Sequence, residues 1–176
     1  MLKLLYRANR NKANGELHKH INNKLMAKSL ETIPQMNPMF WKELGDEIAD
    51  KIRVHTTDGK DIDSRSFKSY SKGYAQAKSQ GKFKRQSSTS SKPDLQLTGD
   101  MMRNLQVRGV TPYGVTIGWS GTNAEKVQWN ADMGRTVTSN SKPLSDKVWK
   151  FAEKELSKQM DKNLKLVAET TTITIG

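Results

Sequence analysis

Few side chains in this 176-residue sequence have types and spacings suited to chemistry. It carries three histidines and no cysteine, which excludes disulfides and thiolate chemistry. His18 and His20 stand two apart, so on a helix they face different sides and make a poor metal pair. His55 has no Asp, His or Cys at ligand spacing and reads as structural. Asp58, Asp61 and Asp63 surround Gly59 in a faint likeness of a calcium loop. The ligand order is wrong, however, and no closing bidentate glutamate follows. There is no Ser/His/acid set with supporting context, no glycine-rich loop between a strand and a helix, and no zinc spacing. Each remaining carboxylate pair fits a helix surface or a cap. No catalytic, cofactor or metal residue is therefore expected, and the chain is not expected to be an enzyme.

Binding chemistry is better represented. Phe67, Tyr70, Tyr74 and Phe83 interleave with Lys68, Lys72, Lys78, Lys82, Lys84 and Arg85. Aromatic rings among cations can stack on nucleic-acid bases while the cations hold phosphates. The other reading is that Tyr70 and Tyr74, four apart, anchor one helical turn to the core. A second candidate contact is Ile173 with Ile175, which alternate with threonines from Glu169 to Gly176. Such a strand can extend a neighbour's sheet edge, or it can be a frayed terminus.

The net charge of +12 is unevenly spread. Residues 1–28 hold seven Lys or Arg and one acid, a net +6, and residues 60–92 hold nine and two, a net +7. The remaining stretches, 29–59 and 93–176, come to −3 and +2. Basic blocks attract polyanions or acidic protein surfaces, and otherwise form a solvated face.

These residues must be positioned by the elements around them. The length suits one domain with an extension, and an apolar share of 34% implies that part of the chain packs against neighbours or stays mobile. The opening Met1–Arg7 has no apolar run long enough for a signal peptide or a membrane span, so a soluble protein made in a cytosol is expected, with no membrane partner. Residues 1–35 read as a basic helical arm, with Leu17, Ile21 and Leu25 four apart and Pro34 as a stop. Asn37 and Pro38 open a stronger helix whose stripe Phe40/Trp41, Leu44, Ile48 and Ile52 faces a core and which ends near Arg53–His55. The low-complexity run Gln86–Ser91 sits in an expected mobile basic loop, about 80–93.

The centre of the chain runs from Asp94 to Arg135. Thr98 is placed to cap a short turn carrying Met101 and Met102. Leu105, Val107 and Gly109, then Val115, Ile117 and Trp119, form two period-two runs split by Thr111-Pro112-Tyr113-Gly114, the pattern of a β-hairpin. Ala124, Val127, Gln128 and Ala131 recur at helical spacing, and Gly134 is placed to end that helix. Ser145 then caps the clearest helix, with Leu144, Val148, Ala152, Leu156, Met160 and Leu164 on one stripe. The fold class expected is α+β: a small antiparallel sheet built on the 105–120 hairpin, with the 38–54 and 145–166 helices on one face. The organisation expected is a 1–35 arm, a 36–167 domain and a strand-like tail over 168–176.

Several short motifs carry a resemblance. Leu97-Thr98-Gly99, Trp119-Ser120-Gly121-Thr122, Gln128…Gly134 and Pro143-Leu144-Ser145, with Tyr70-Ser71-Lys72-Gly73-Tyr74-Ala75 and Lys78 upstream, resemble the phage virion-morphogenesis and tail-completion proteins, the Mu-type and related head–tail joining families. The resemblance spans roughly residues 40–165, with no histidine in the 128–134 element and no match for the N-terminal region. It implies a structural component of a tailed-phage virion at the head–tail junction or tail end. It implies a homo-oligomeric ring of six or twelve copies, neighbouring portal, neck or tail proteins as partners, and a residence in host cytoplasm before assembly. Non-specific contact with genomic DNA through the 60–92 block is the alternative, as a nucleic-acid-binding module.

Overall fold

The computed structural model describes the backbone of residues 2–5 and 36–170, and side chains over 36–163. The fold is α+β, as the hairpin and its flanking stripes predict. Helix α1, Pro38–Thr57, begins where expected: the Asn37 side chain accepts from the Met39 N–H at 2.9 Å, and Pro38 occupies the first turn. It runs to Thr57, two residues beyond the expected end, because the Thr57 hydroxyl and the Asp58 N–H satisfy its last carbonyls.

Strands β2, Gln106–Thr111, and β3, Gly114–Gly118, form the predicted hairpin around Pro112-Tyr113. Its register shifts between Val107 and Gly109, leaving Arg108 as an extra residue. Arg108 holds that bulge by donating to the Gly118 carbonyl at 3.1 Å and to the Asn104 side chain at 3.0 Å. The bulge changes which residues face inward. Val107 and Val110 both pack on the core, whereas strict alternation would have sent Gly109 inward. Trp119 lies just past β3 rather than within it, and its indole N–H donates to the Met101 carbonyl at 2.8 Å.

The sheet has a third strand. β1, Leu2–Leu5, pairs antiparallel with β3, Leu2 opposite Ile117 and Leu5 opposite Gly114, so β3 is central. This corrects the expected helical arm at its first residues; the stripe Leu17, Ile21 and Leu25 lies outside the described residues. Helix α1 lies across β2 and β3, and it approaches closely because Gly45 has no side chain. A Cβ at Gly45 would stand 2.7 Å from a methyl of Val107 and 2.7 Å from one of Val115.

Three short helices complete the middle of the chain: α2, Lys72–Ser79; α3, Asp100–Arg103; and α4, Thr122–Asp132. Gly134, with φ +79°, ends α4 as expected. The cap of α3 is Gly99 in the left-handed region, φ +76°; the Thr98 hydroxyl still accepts from the Asp100 N–H, at 3.4 Å. The last helix, α5, spans Asp146–Thr170 and packs along α1. The Lys51 ammonium sits 4.0 Å from the Phe151 ring centroid, and Phe40 and Glu43 face Lys158 and Lys162 across a groove, so the two helices run antiparallel. Residues 168–170, expected to open the strand-like tail, are the last turn of α5. Ser145 precedes α5 as expected, but its hydroxyl is buried with no hydrogen-bond partner, so it does not cap.

Trp41, Ile48, Leu105, Val115, Ile117, Val148 and Ala152 centre one continuous core. Burying each of the larger side chains contributes about 1.5–3 kcal/mol, which orients every element that borders the site below. Among the described residues no helix is long and apolar enough to cross a membrane.

Candidate functional site

The site grows from the 60–99 stretch. Ser71 caps α2, its hydroxyl accepting from the Tyr74 N–H at 3.4 Å, and this sets Tyr70 and Tyr74 on one side. Their rings meet edge to face with centroids 4.7 Å apart, and Phe83 continues the stack 5.2 Å from Tyr74. The aromatics therefore contact one another.

Lys78 is fully buried. Its ammonium is ion-paired with Asp94, itself buried, and lies 5.2 Å from the centroid of the Tyr70 ring. Asp94 also accepts from the Ser88 hydroxyl, from the Gln96 N–H at 3.0 Å and from the Tyr70 hydroxyl at 3.5 Å. The Leu95 N–H in turn donates to the Tyr70 oxygen at 3.3 Å. A buried lysine with a buried carboxylate is compensated only when such further bonds complete the set. Burial, and then the Asp94 charge, push the Tyr70 phenol up to about 12. Tyr74 is raised for the same two reasons, partly offset by Arg135.

Lys78 is thus removed from the polyanion-contact set, a correction with a clear cause: a fully buried ammonium cannot meet a phosphate. The expected mobile loop at 80–93 is likewise tied down. Ser87 N–H donates to the Leu97 carbonyl at 2.7 Å, the Gln86 amide donates to the Lys78 and Ser88 carbonyls, and Ser88 is held by Asp94. Lys68, Lys72, Lys82, Lys84 and Arg85 are all exposed. Ile173 and Ile175 lie outside the described residues.

On the other side, Arg135 is buried and donates to the Lys68 carbonyl at 2.8 Å and the Ser69 carbonyl at 3.0 Å. Its guanidinium lies 5.0 Å from the Tyr70 ring centroid. This contact clamps the extended 68–70 segment to the end of α4. Between them opens a cleft of about 550 Å³, floored by Tyr70, Leu95 and Met101 and edged by Tyr74, Lys126 and Met133. That volume lies within the range of ligand clefts. Among the described residues that line it, Lys126 and Arg135 are the cations, and none is a carboxylate. Met133, at its edge, is 50% exposed, and Trp129, one turn earlier on α4, is 56% exposed, so apolar surface beside the cleft is open to solvent. A surface of this kind binds an apolar segment by removing it from water.

Two of the three acids in the faint calcium likeness, Asp61 and Asp63, are already partnered within the fold. Asp61 accepts from the Asp63 and Arg65 N–H groups at 2.9 and 2.8 Å, and Lys142 pairs with Asp63 at 2.9 Å. The His55 ring meets the Asp61 carbonyl at 2.9 Å through Nε2. Among the described residues no group of three His, Cys, Asp or Glu side chains could hold a metal. Sequence reasoning picked out Tyr70 and Tyr74 by spacing but missed Asp94, Arg135 and Met133, whose roles depend on contacts with distant residues. Searches against family models, curated proteins and solved structures found no match to this chain.

Proposed function

We propose that this chain is a structural subunit of a tailed-phage virion, a neck or tail-completion component. In this reading, six or twelve copies form a ring between portal and tail. Support comes from the motif resemblance over roughly residues 40–165 and from one structural observation that carries the reading. That observation is the largely apolar cleft edged by solvent-exposed Met133, with exposed Trp129 one turn earlier on α4, a surface suited to docking another protein chain. Mass photometry of the purified chain tests it. Particles at six or twelve times the 19.9 kDa chain mass are expected, and a monomer at all concentrations would overturn the reading.

A second reading is favoured by a specific observation: Lys68, Lys72, Lys82, Lys84 and Arg85 are exposed, and among the described residues none makes an ion pair within 4.0 Å. Here the 60–92 block contacts DNA non-specifically. Filter binding across a salt series separates the two readings. A steep linear fall of log affinity with log salt, reduced by Lys82→Glu, Lys84→Glu and Arg85→Glu, supports DNA contact. A flat, weak series supports protein docking alone.

A further inference from the structure

We infer that the cleft beside Tyr70 receives the Ile173/Ile175 segment of a second copy, so that copies join head to tail. This deepens the self-assembly reading above and rests on it. Three observations carry it.

The first is geometric. The cleft lies at the C-terminal end of α1, where Arg53 Nε donates to the Met102 carbonyl at 3.0 Å and Met101 forms part of the floor. Helix α5 runs the opposite way, reaching the Phe40 end of α1 at Lys158 and Lys162 and continuing to Thr170. From Phe40 to Arg53 is about 20 Å along a helix, and from Lys162 to Thr170 about 12 Å more, at 1.5 Å per residue. Ile175 is five residues past Thr170, a reach of about 17 Å even fully extended. By this reach Ile173 and Ile175 fall short of the cleft in their own chain, which leaves the cleft of another copy as the one they can enter.

The second is chemical. Ile173 and Ile175 are two apart, so in an extended segment both project to one face. The cleft floor of Tyr70, Leu95 and Met101 and the open Met133 offer apolar surface to such a face. The third is electrostatic. Among the described residues the cleft is lined by two cations and no carboxylate, in a chain of net charge +12. Residues 171–176, Thr-Thr-Ile-Thr-Ile-Gly, carry no charged side chain and approach Lys126 and Arg135 without the repulsion a basic segment would meet. A contact between opposite ends of identical subunits is heterologous and closes into a ring when the rotation permits.

The test uses two full-length variants and their mixture. One carries Ile173→Asp and Ile175→Asp; the other carries Met133→Asp and Lys126→Glu, both at cleft-edge positions outside the core. Circular-dichroism melts matching the parent chain establish that both fold. Native mass spectrometry should show assembly of the parent, monomers of each variant, and a one-to-one dimer on mixing, since the mixture retains one intact tail and one intact cleft. Variants that assemble like the parent, or variants that stay monomeric on mixing, overturn this inference while leaving self-assembly standing. A parent chain that is monomeric throughout overturns both.

Discussion

The Lys78 ammonium is buried against the Asp94 carboxylate, sixteen residues further along the chain. That pair ties α2 to the segment that enters α3, and through Tyr70 it borders the cleft. Removing one partner leaves the other charged and desolvated. Lys78→Met and Asp94→Leu should each lower stability by about 3–5 kcal/mol, whereas the two combined should cost far less than the sum of the single effects. Urea unfolding of the four proteins of the cycle checks this; single variants within about 0.5 kcal/mol of the parent would show that the pair is not buried in solution.

At Gly45 two effects compete. Alanine is favoured over glycine inside a helix by about 1 kcal/mol. Its methyl would stand 2.7 Å from methyls of Val107 and Val115, side chains stiff at χ1. Overpacking of that kind costs about 1–3 kcal/mol and should win. Gly45→Ala should lower the melting temperature, and adding Val107→Ala should destabilise by less than the two single effects combined, as thermal unfolding would reveal.

Ser145 offers the opposite outcome. A capping serine replaced by alanine costs about 1 kcal/mol. Here the hydroxyl is buried without a partner, so Ser145→Ala should be neutral or stabilising. A loss of about 1 kcal/mol in denaturant unfolding would show that it caps α5 after all.

Alkaline titration reads Tyr70 directly. Its folded value of about 12 lies above a tyrosine's ordinary 10.0, first through burial and then through the charge of Asp94. An unfolded chain therefore ionises this phenol first. The stability it contributes is complete below pH 10.0 and is lost as the pH rises towards about 12. Phenolate absorbance should show a late-ionising tyrosine that disappears in Tyr70→Phe; an unchanged titration in that variant would rule the assignment out.

Much of this architecture was legible locally. The α1 stripe, the Pro112-Tyr113 hairpin and Gly134 each announce themselves within a few residues, because helical spacing, turn chemistry and left-handed glycine are local properties. The remainder depends on distant partners. Lys78 looks like one more solvated charge in a basic block until Asp94 comes beside it. Arg108 breaks the two-residue period only because Gly118 and Asn104 accept its guanidinium. Leu2–Leu5 is four residues of ambiguous pattern that become a strand when β3 supplies the ladder. Arg135 follows a predictable glycine, yet nothing near it signals that its donors end on Lys68 and Ser69.

The pairing of Leu2 with Ile117 also orders events during synthesis. Residues 2–5 leave the ribosome more than a hundred positions before β3, and their hydrogen bonds wait until it has emerged. Until then the central strand has a bare edge, open to whichever strand arrives first. Closing so large a loop is slow, so this last pairing should set the pace of maturation. A crowded polysome would then be the place where wrong partners compete for it.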